Sequence, residues 1–195
     1  VYADGNNIGD LLEMAKSPAA YRHVSQQLKD GTENALFEAL YKTIGSNRSK
    51  YETLPFEIIN IGGDDISIII QAKYAWLFTI NFLEQFEDVM KGLPEELGMD
   101  KITSSLAFLA SKPKYPVLFM EKLADSLLKE AKGRAKDTGE SAMSFLYLTN
   151  PVAAYTAKEL IDAYYLRERA RNQFSLTLRP YTLGESKILW EIADE

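Results

Sequence analysis

Phe56-Glu57-Ile58-Ile59-Asn60-Ile61-Gly62-Gly63-Asp64-Asp65-Ile66-Ser67-Ile68-Ile69-Ile70 is the stretch that decides the fold. Two isoleucine-rich runs flank a short Gly/Asp turn, which is the pattern of a β-hairpin. The turn carries adjacent carboxylates, Asp64 and Asp65. Like charges this close repel unless a cation offsets them. Mg²⁺ prefers hard oxygen ligands and commonly takes one or two carboxylates plus substrate phosphates. Gly62 and Gly63 let backbone and bulky phosphates approach closely. The hairpin alone leaves a second reading open, because Asp and Gly are also simply good turn formers.

The start of the chain favours the metal reading. Asp4 follows Val1-Tyr2-Ala3 and precedes Gly5-Asn6-Asn7-Ile8-Gly9, a strand end entering a Gly/Asn turn ahead of a helix from about Asp10. Backbone N–H groups from Gly5 to Gly9 can face an anion there, while the carboxylate holds a cation. If the first strand lies beside the hairpin, Asp4, Asp64 and Asp65 converge at one sheet edge. Two-metal phosphoryl transfer uses such a constellation.

Bulk composition narrows the classes. The chain has 195 residues with 46% hydrophobic content, enough for one core-bearing domain, alone or with an appendage. It has no cysteine and one histidine, His23, which excludes Cys-based sites and His-cluster metal sites within this chain. No apolar run approaches a membrane span and no signal peptide is visible, so the expected location is the cytoplasm, without membrane contact. A net charge of −6 argues against broad nonspecific nucleic-acid binding but not against a metal-screened nucleotide site. Val1 already stands inside an expected strand, which suggests a chain excised from something longer.

The pattern predicts helices over 10–14, 19–28 and 34–44, then a polar loop over 45–52 and the hairpin. A helix over 74–90 follows, then a connector over 92–100 and a strand over 102–110. Next come a stiff Lys-Pro-Lys-Tyr-Pro loop, a helix over 117–132, a charged turn over 133–141 and a strand over 143–148. This order suits an α/β (α+β) sandwich with a mixed sheet of the split βαβ, ferredoxin-like type, extended by one helix and strand. Residues 1–150 form the main domain on this reading. Residues 151–195 form a small helical C-terminal extension, with helices over 157–171 and 183–193.

Five segments in order resemble the CRISPR polymerase family, the large subunit of type III CRISPR effector complexes. They are Asp4-Gly5-Asn6-Asn7-Ile8-Gly9, Ile61-Gly62-Gly63-Asp64-Asp65, and Ser105 to Ala110 running into Lys112-Pro113-Lys114-Tyr115-Pro116. The helix Glu121 to Lys132 and the segment Arg179-Pro180-Tyr181-Thr182 complete the set. The resemblance implies a palm domain related to GGDEF nucleotidyl cyclases. It implies two Mg²⁺ or Mn²⁺ ions and the joining of ATP into cyclic oligoadenylates, a second messenger of antiviral defence. It assigns Asp4, Asp64 and Asp65 as catalytic metal ligands with Gly5 beside them. It assigns Gly5, Asn6, Asn7, Ile8, Gly9, Gly62, Gly63, Ser105 and Lys132 to nucleotide binding, with Lys132 matching a lysine that contacts the triphosphate in GGDEF relatives. A second palm, or a homodimer, and other subunits of an RNA-guided complex are implied partners.

Two positions depart from the family pattern. Asn6 stands where Asp is common, which removes one acidic ligand. Ala107 stands where Gly is common. A diguanylate cyclase using GTP is the nearest enzymatic alternative, but the hairpin reads Asp65-Ile66 rather than Glu-Phe. A non-catalytic palm acting as a nucleotide-binding scaffold or sensor is the alternative from another class.

Overall fold

Alternating side-chain direction organises a six-stranded mixed sheet, seen in a computed structural model that describes residues 1–93, 101–148, 156–161 and 178–194. The strands are β1 (Tyr2–Gly5), β2 (Phe56–Gly62), β3 (Asp65–Ile70), β4 (Ser104–Ala110), β5 (Ala142–Tyr147) and β6 (Tyr181–Thr182). Their spatial order is β2-β3-β1-β4-β5-β6. β1 runs antiparallel between β3 and β4, which is the split βαβ arrangement the sequence pattern predicts. β5 adds parallel to β4 and β6 antiparallel to β5.

The helices are α1 (Ile8–Glu13), α2 (Pro18–Ile44), α3 (Ala72–Val89), α4 (Val117–Thr138), α5 (Ala157–Ile161) and α6 (Leu183–Asp194), with a 3₁₀ segment at Gly45–Lys50. On α3, Phe78, Phe82 and Phe86 recur at helical spacing and are fully buried. They pack with Leu36 of α2 and with Ala3, Ile66, Ile68, Leu106 and Phe108 of the sheet. The opposite face is covered by α4 and α5, where Leu123, Leu127, Leu128 and Leu160 meet Ala107 and Leu146.

Period-2 geometry then fixes where the acids go. Ala3, Ile66 and Ile68 face α2 and α3, so Asp4 and Asp65 are carried to the α4 side, as Tyr2 is. The Gly62↔Asp65 pairing closes the hairpin over Gly63 and Asp64. Gly63 sits at φ +56°, a positive φ that a first turn residue of the II′ type requires and that Gly adopts at no steric cost.

Several local expectations change. The break between the first two helices falls over 14–17, as expected, and Ser17-Pro18 starts α2: Ser17 Oγ accepts from the Ala20 N–H at 3.1 Å, and Pro18 occupies the first turn. α2 then continues unbroken through Gly31, where an added Cβ would lie 2.8 Å from Met90 Cε. The segment expected as a gap over 29–33 is therefore helical, and the Met90 side chain at the end of α3 packs against Gly31. The polar loop expected after Ile44 contains the 3₁₀ segment. α4 does not stop at Lys132 but runs to Thr138, because Ala131 and Ala135 both pack inward and outweigh the propensity cost of Gly133.

In the C-terminal extension, the helix expected over 157–171 is present as α5 and otherwise lies outside the described residues. The extension also supplies β6, a strand the sequence pattern did not predict. Thr182 and Glu185 form a capping box at the start of α6. Glu185 Oε2 accepts from the Thr182 N–H at 2.8 Å, and Thr182 Oγ1 accepts from the Glu185 N–H at 3.3 Å. Arg134 of α4 donates to Glu185 at 2.8 Å, and Lys187 of α6 pairs with Glu84 of α3. These contacts dock α6 onto the main sheet layers. No described helix is long and apolar enough to cross a membrane.

Candidate active site

Asp4 leaves the end of β1 directly beside the hairpin. The Gly5 N–H donates to the Asp64 carbonyl at 3.2 Å, tying the two segments together. Space at Gly5 is part of this fit: a Cβ there would fall 3.0 Å from Asp64 Oδ2. Gly62 plays the same part for its neighbour, since a Cβ there would fall 2.6 Å from Asp65 Oδ1. The structure therefore brings Asp4 and Asp64 together, with Asp65 on the same sheet face.

The electrostatics express this proximity. The Asp64 carboxyl is pushed up to about 6, first by burial and next by the Asp4 charge. Hydrogen bonding to the Asp4 side chain favours the protonated form of Asp64 further. Asp65 is also raised, again by burial first and Asp4 second. Tyr2 lies in the same negative field, and its hydroxyl is raised by burial, then by Asp65 and Asp4. Lys132 reaches across from α4, with Nζ 2.6 Å from Asp4 Oδ2. An ammonium thus supplies positive charge to a carboxylate pair.

That donor chemistry fits a hard divalent cation. Asp4, Asp64 and Asp65 all offer oxygen donors, and a bound Mg²⁺ or Mn²⁺ would relieve their mutual repulsion. The cage is not closed in advance: among the described residues no set of three or more His, Asp or Glu side chains is already gathered around one point.

The raised Asp64 makes a pH prediction for the metal-free protein. Its folded pKa of about 6 exceeds the ordinary 3.8, so the native state holds this proton more tightly than the unfolded chain. The contribution of Asp64 to stability is therefore favourable at low pH and falls as pH rises from about 4 to about 6. After discounting for solvent at this part-exposed turn, the total change is about 1–2 kcal/mol. Thermal melts of the protein and of Asp64→Asn without metal should nearly coincide at low pH. Above pH 6 the variant should be the more stable, and an unchanging gap would contradict the assignment.

Other candidate residues are used differently from expectation. The Asn6 N–H donates to the Thr103 carbonyl at 2.8 Å, and its Nδ2 donates to Thr103 Oγ1 at 2.9 Å. Ser105 is fully buried, and its hydroxyl donates to Asn6 Oδ1 at 2.8 Å. Asn6 and Ser105 therefore stitch the β1–α1 turn to β4. The Ser105 hydroxyl faces Asn6 rather than an open base pocket. The N–H groups of Gly5 and Asn6 are likewise held by carbonyls, which corrects the expectation that the whole run from Gly5 to Gly9 faces an anion. Asn7 takes φ 58° and begins α1, its carbonyl accepting from the Leu11 N–H at 3.1 Å. Ile8 is buried beneath it, and Gly9 is exposed on α1 with open space around it.

Sequence reasoning missed Asn60, whose Nδ2 donates to Asp65 Oδ2 at 3.3 Å, and Thr103, which anchors Asn6. A polar residue within the isoleucine run leading to the turn was the available signal for Asn60.

A ferredoxin-like sheet carrying acids on its first strand and at the β2–β3 hairpin defines a nucleotidyltransferase-like palm. Residues 1–139 match the family described as Cas10/Cmr2, second palm domain, and the chain belongs to that CRISPR-associated family. No curated protein matches it.

Proposed function

We propose that this palm is a metal-dependent nucleotidyltransferase that joins ATP into cyclic oligoadenylate second messengers of CRISPR-type antiviral defence. The observation that carries the proposal is the meeting of Asp4 and Asp64 under the Lys132 ammonium. Asp4, Asp64 and Asp65, with Gly5 beside them, would hold Mg²⁺ or Mn²⁺. Bound divalent metal supplies activation of a ribose hydroxyl and neutralisation of charge on the leaving pyrophosphate.

The chain's own groups do the rest. Lys132 offers a flexible cation to the triphosphate. Gly62 and Gly63 keep the hairpin free of side chains where phosphates approach. Asn60 orients Asp65, and the Asn6–Thr103–Ser105 bonds hold the β1 end in register with β4. Joining two nucleotides requires a second one in line with the first. A second palm, from another copy of this chain or from an effector complex in the cytoplasm, would present it.

Calorimetric titration of ATP and of GTP, with and without Mn²⁺, tests the proposal. ATP binding that requires Mn²⁺, followed by adenylate product, is the expected result. Binding without product in the presence of a second palm would favour a nucleotide-sensing scaffold. Preference for GTP would favour the cyclase alternative. Failure of the folded protein to bind either nucleotide would overturn the proposal.

A further inference from the structure

We infer that Lys132 is an internal placeholder for the divalent cation, and that its transfer from Asp4 to a nucleotide phosphate couples metal binding to triphosphate capture. The inference rests on the metal-site reading above and adds a thermodynamic link to it.

The helical surroundings of Lys132 carry the argument. Positions three and four residues away on α4 are Leu128, Lys129, Ala135 and Lys136, so no acid lies within helical reach. Lys129, by contrast, closes a local pair with Asp125 at 2.7 Å. The partner of Lys132 is instead 128 residues away in sequence, across the layer interface on β1. The buried Ala131 fixes the helix backbone against the sheet, and a lysine's flexible four-carbon stem lets its ammonium move without moving the helix. With side-chain exposures of 38% and 28%, the Lys132–Asp4 pair is screened less than the Lys129–Asp125 pair, at 74% and 49%.

A cation that takes Asp4 Oδ2 must displace this ammonium. Without another anion nearby, displacement leaves Lys132 unpaired and opposes metal binding. A triphosphate at the hairpin offers Lys132 a new partner and removes that opposition. Linkage makes the effect reciprocal, so metal equally favours the triphosphate.

Titration of Mn²⁺, alone and with a non-hydrolysable ATP analogue, tests this on the protein, on Lys132→Gln, on Lys132→Arg and on Lys136→Gln. Lys132→Gln should bind Mn²⁺ alone about 5- to 10-fold more tightly, and the analogue's enhancement of Mn²⁺ affinity should shrink by a similar factor. Lys132→Arg should stay near the parent, because it keeps a charge on Asp4. Lys136→Gln, one turn further along α4, should stay near the parent because it is not paired to the site. Equal or weaker Mn²⁺ binding by Lys132→Gln, with the parent binding normally, overturns the placeholder and leaves the metal site standing. Equal tightening by Lys136→Gln overturns it also, since a general field effect would then suffice. Absence of Mn²⁺ binding from every folded variant, with and without the analogue, overturns both readings together.

Discussion

Asp64→Asn is expected to keep the palm folded, to stabilise it without metal at neutral pH, and to remove metal-dependent nucleotide chemistry. The reasons share one origin. Asp64 sits against Asp4, and its carboxyl is raised to about 6 by burial and by that charge. At neutral pH the native state therefore carries a repulsion that the unfolded chain lacks. The amide is nearly isosteric and removes it, for a gain of about 1–2 kcal/mol after solvent screening. The same change deletes an anionic oxygen ligand. Metal-ion stabilisation of transferring phosphate is worth several kcal/mol, so turnover should fall about a thousand-fold or more. Parallel thermal melts and product assays from ATP measure both effects. The combination is diagnostic, because a residue kept for the fold alone would lose stability when replaced. Full turnover in a folded Asp64→Asn protein would remove the hairpin from the mechanism.

The sheet was legible where the pattern was local. Isoleucine-rich runs around Gly63-Asp64 specify the hairpin, and the order of elements specifies the split βαβ topology. Element ends were less legible because tertiary contacts decide them. Gly31 and Gly133 both read as helix weak points, yet α2 passes Gly31 where Met90 packs close, and α4 passes Gly133 between buried alanines. β6 comprises Tyr181 and Thr182 and forms only because β5 offers an edge, which no local pattern announces.

The candidate site divides in the same way. Asp4, Asp64 and Asp65 could be gathered from strand alternation and an assumed neighbouring of β1 and the hairpin. Lys132 came only from a family resemblance, since nothing along α4 points from residue 132 to residue 4. The use of Asn6 and Ser105 as a stitch depends on the Asp4↔Ser105 and Gly5↔Ser104 register. Register sets which hydroxyl meets which amide, and a single sequence does not give it. Asn6, where the resemblance leads one to expect a carboxylate, has a structural account: an amide can donate to Thr103 and accept from Ser105 at once.

Gly5→Ala is the second large expected effect, acting through shape where Asp64→Asn acts through charge. A Cβ at Gly5 would lie 2.5 Å from Ile8 Cγ1, 2.9 Å from Ile8 Cδ1 and 3.0 Å from Asp64 Oδ2. Ile8 cannot simply swing aside. It is β-branched, 8% exposed, and part of the core beneath α1. Relief therefore requires α1 or the hairpin to shift, at a cost of about 1–3 kcal/mol for overpacking of this kind. A hairpin shift also strains the Gly5 N–H to Asp64 carbonyl bond and separates Asp64 from Asp4. Mn²⁺ affinity should fall along with stability. Gly9→Ala is the matched control, since nothing lies within 4 Å of its Cβ position and it sits inside α1. There the added methyl should be neutral or stabilising by up to about 1 kcal/mol through helix propensity. Melts and Mn²⁺ titrations of the two variants separate the cases. If Gly5→Ala matched Gly9→Ala in both, close apposition of β1 and the hairpin would not be what holds the carboxylates together, and the site would have to be assembled by the bound cation itself.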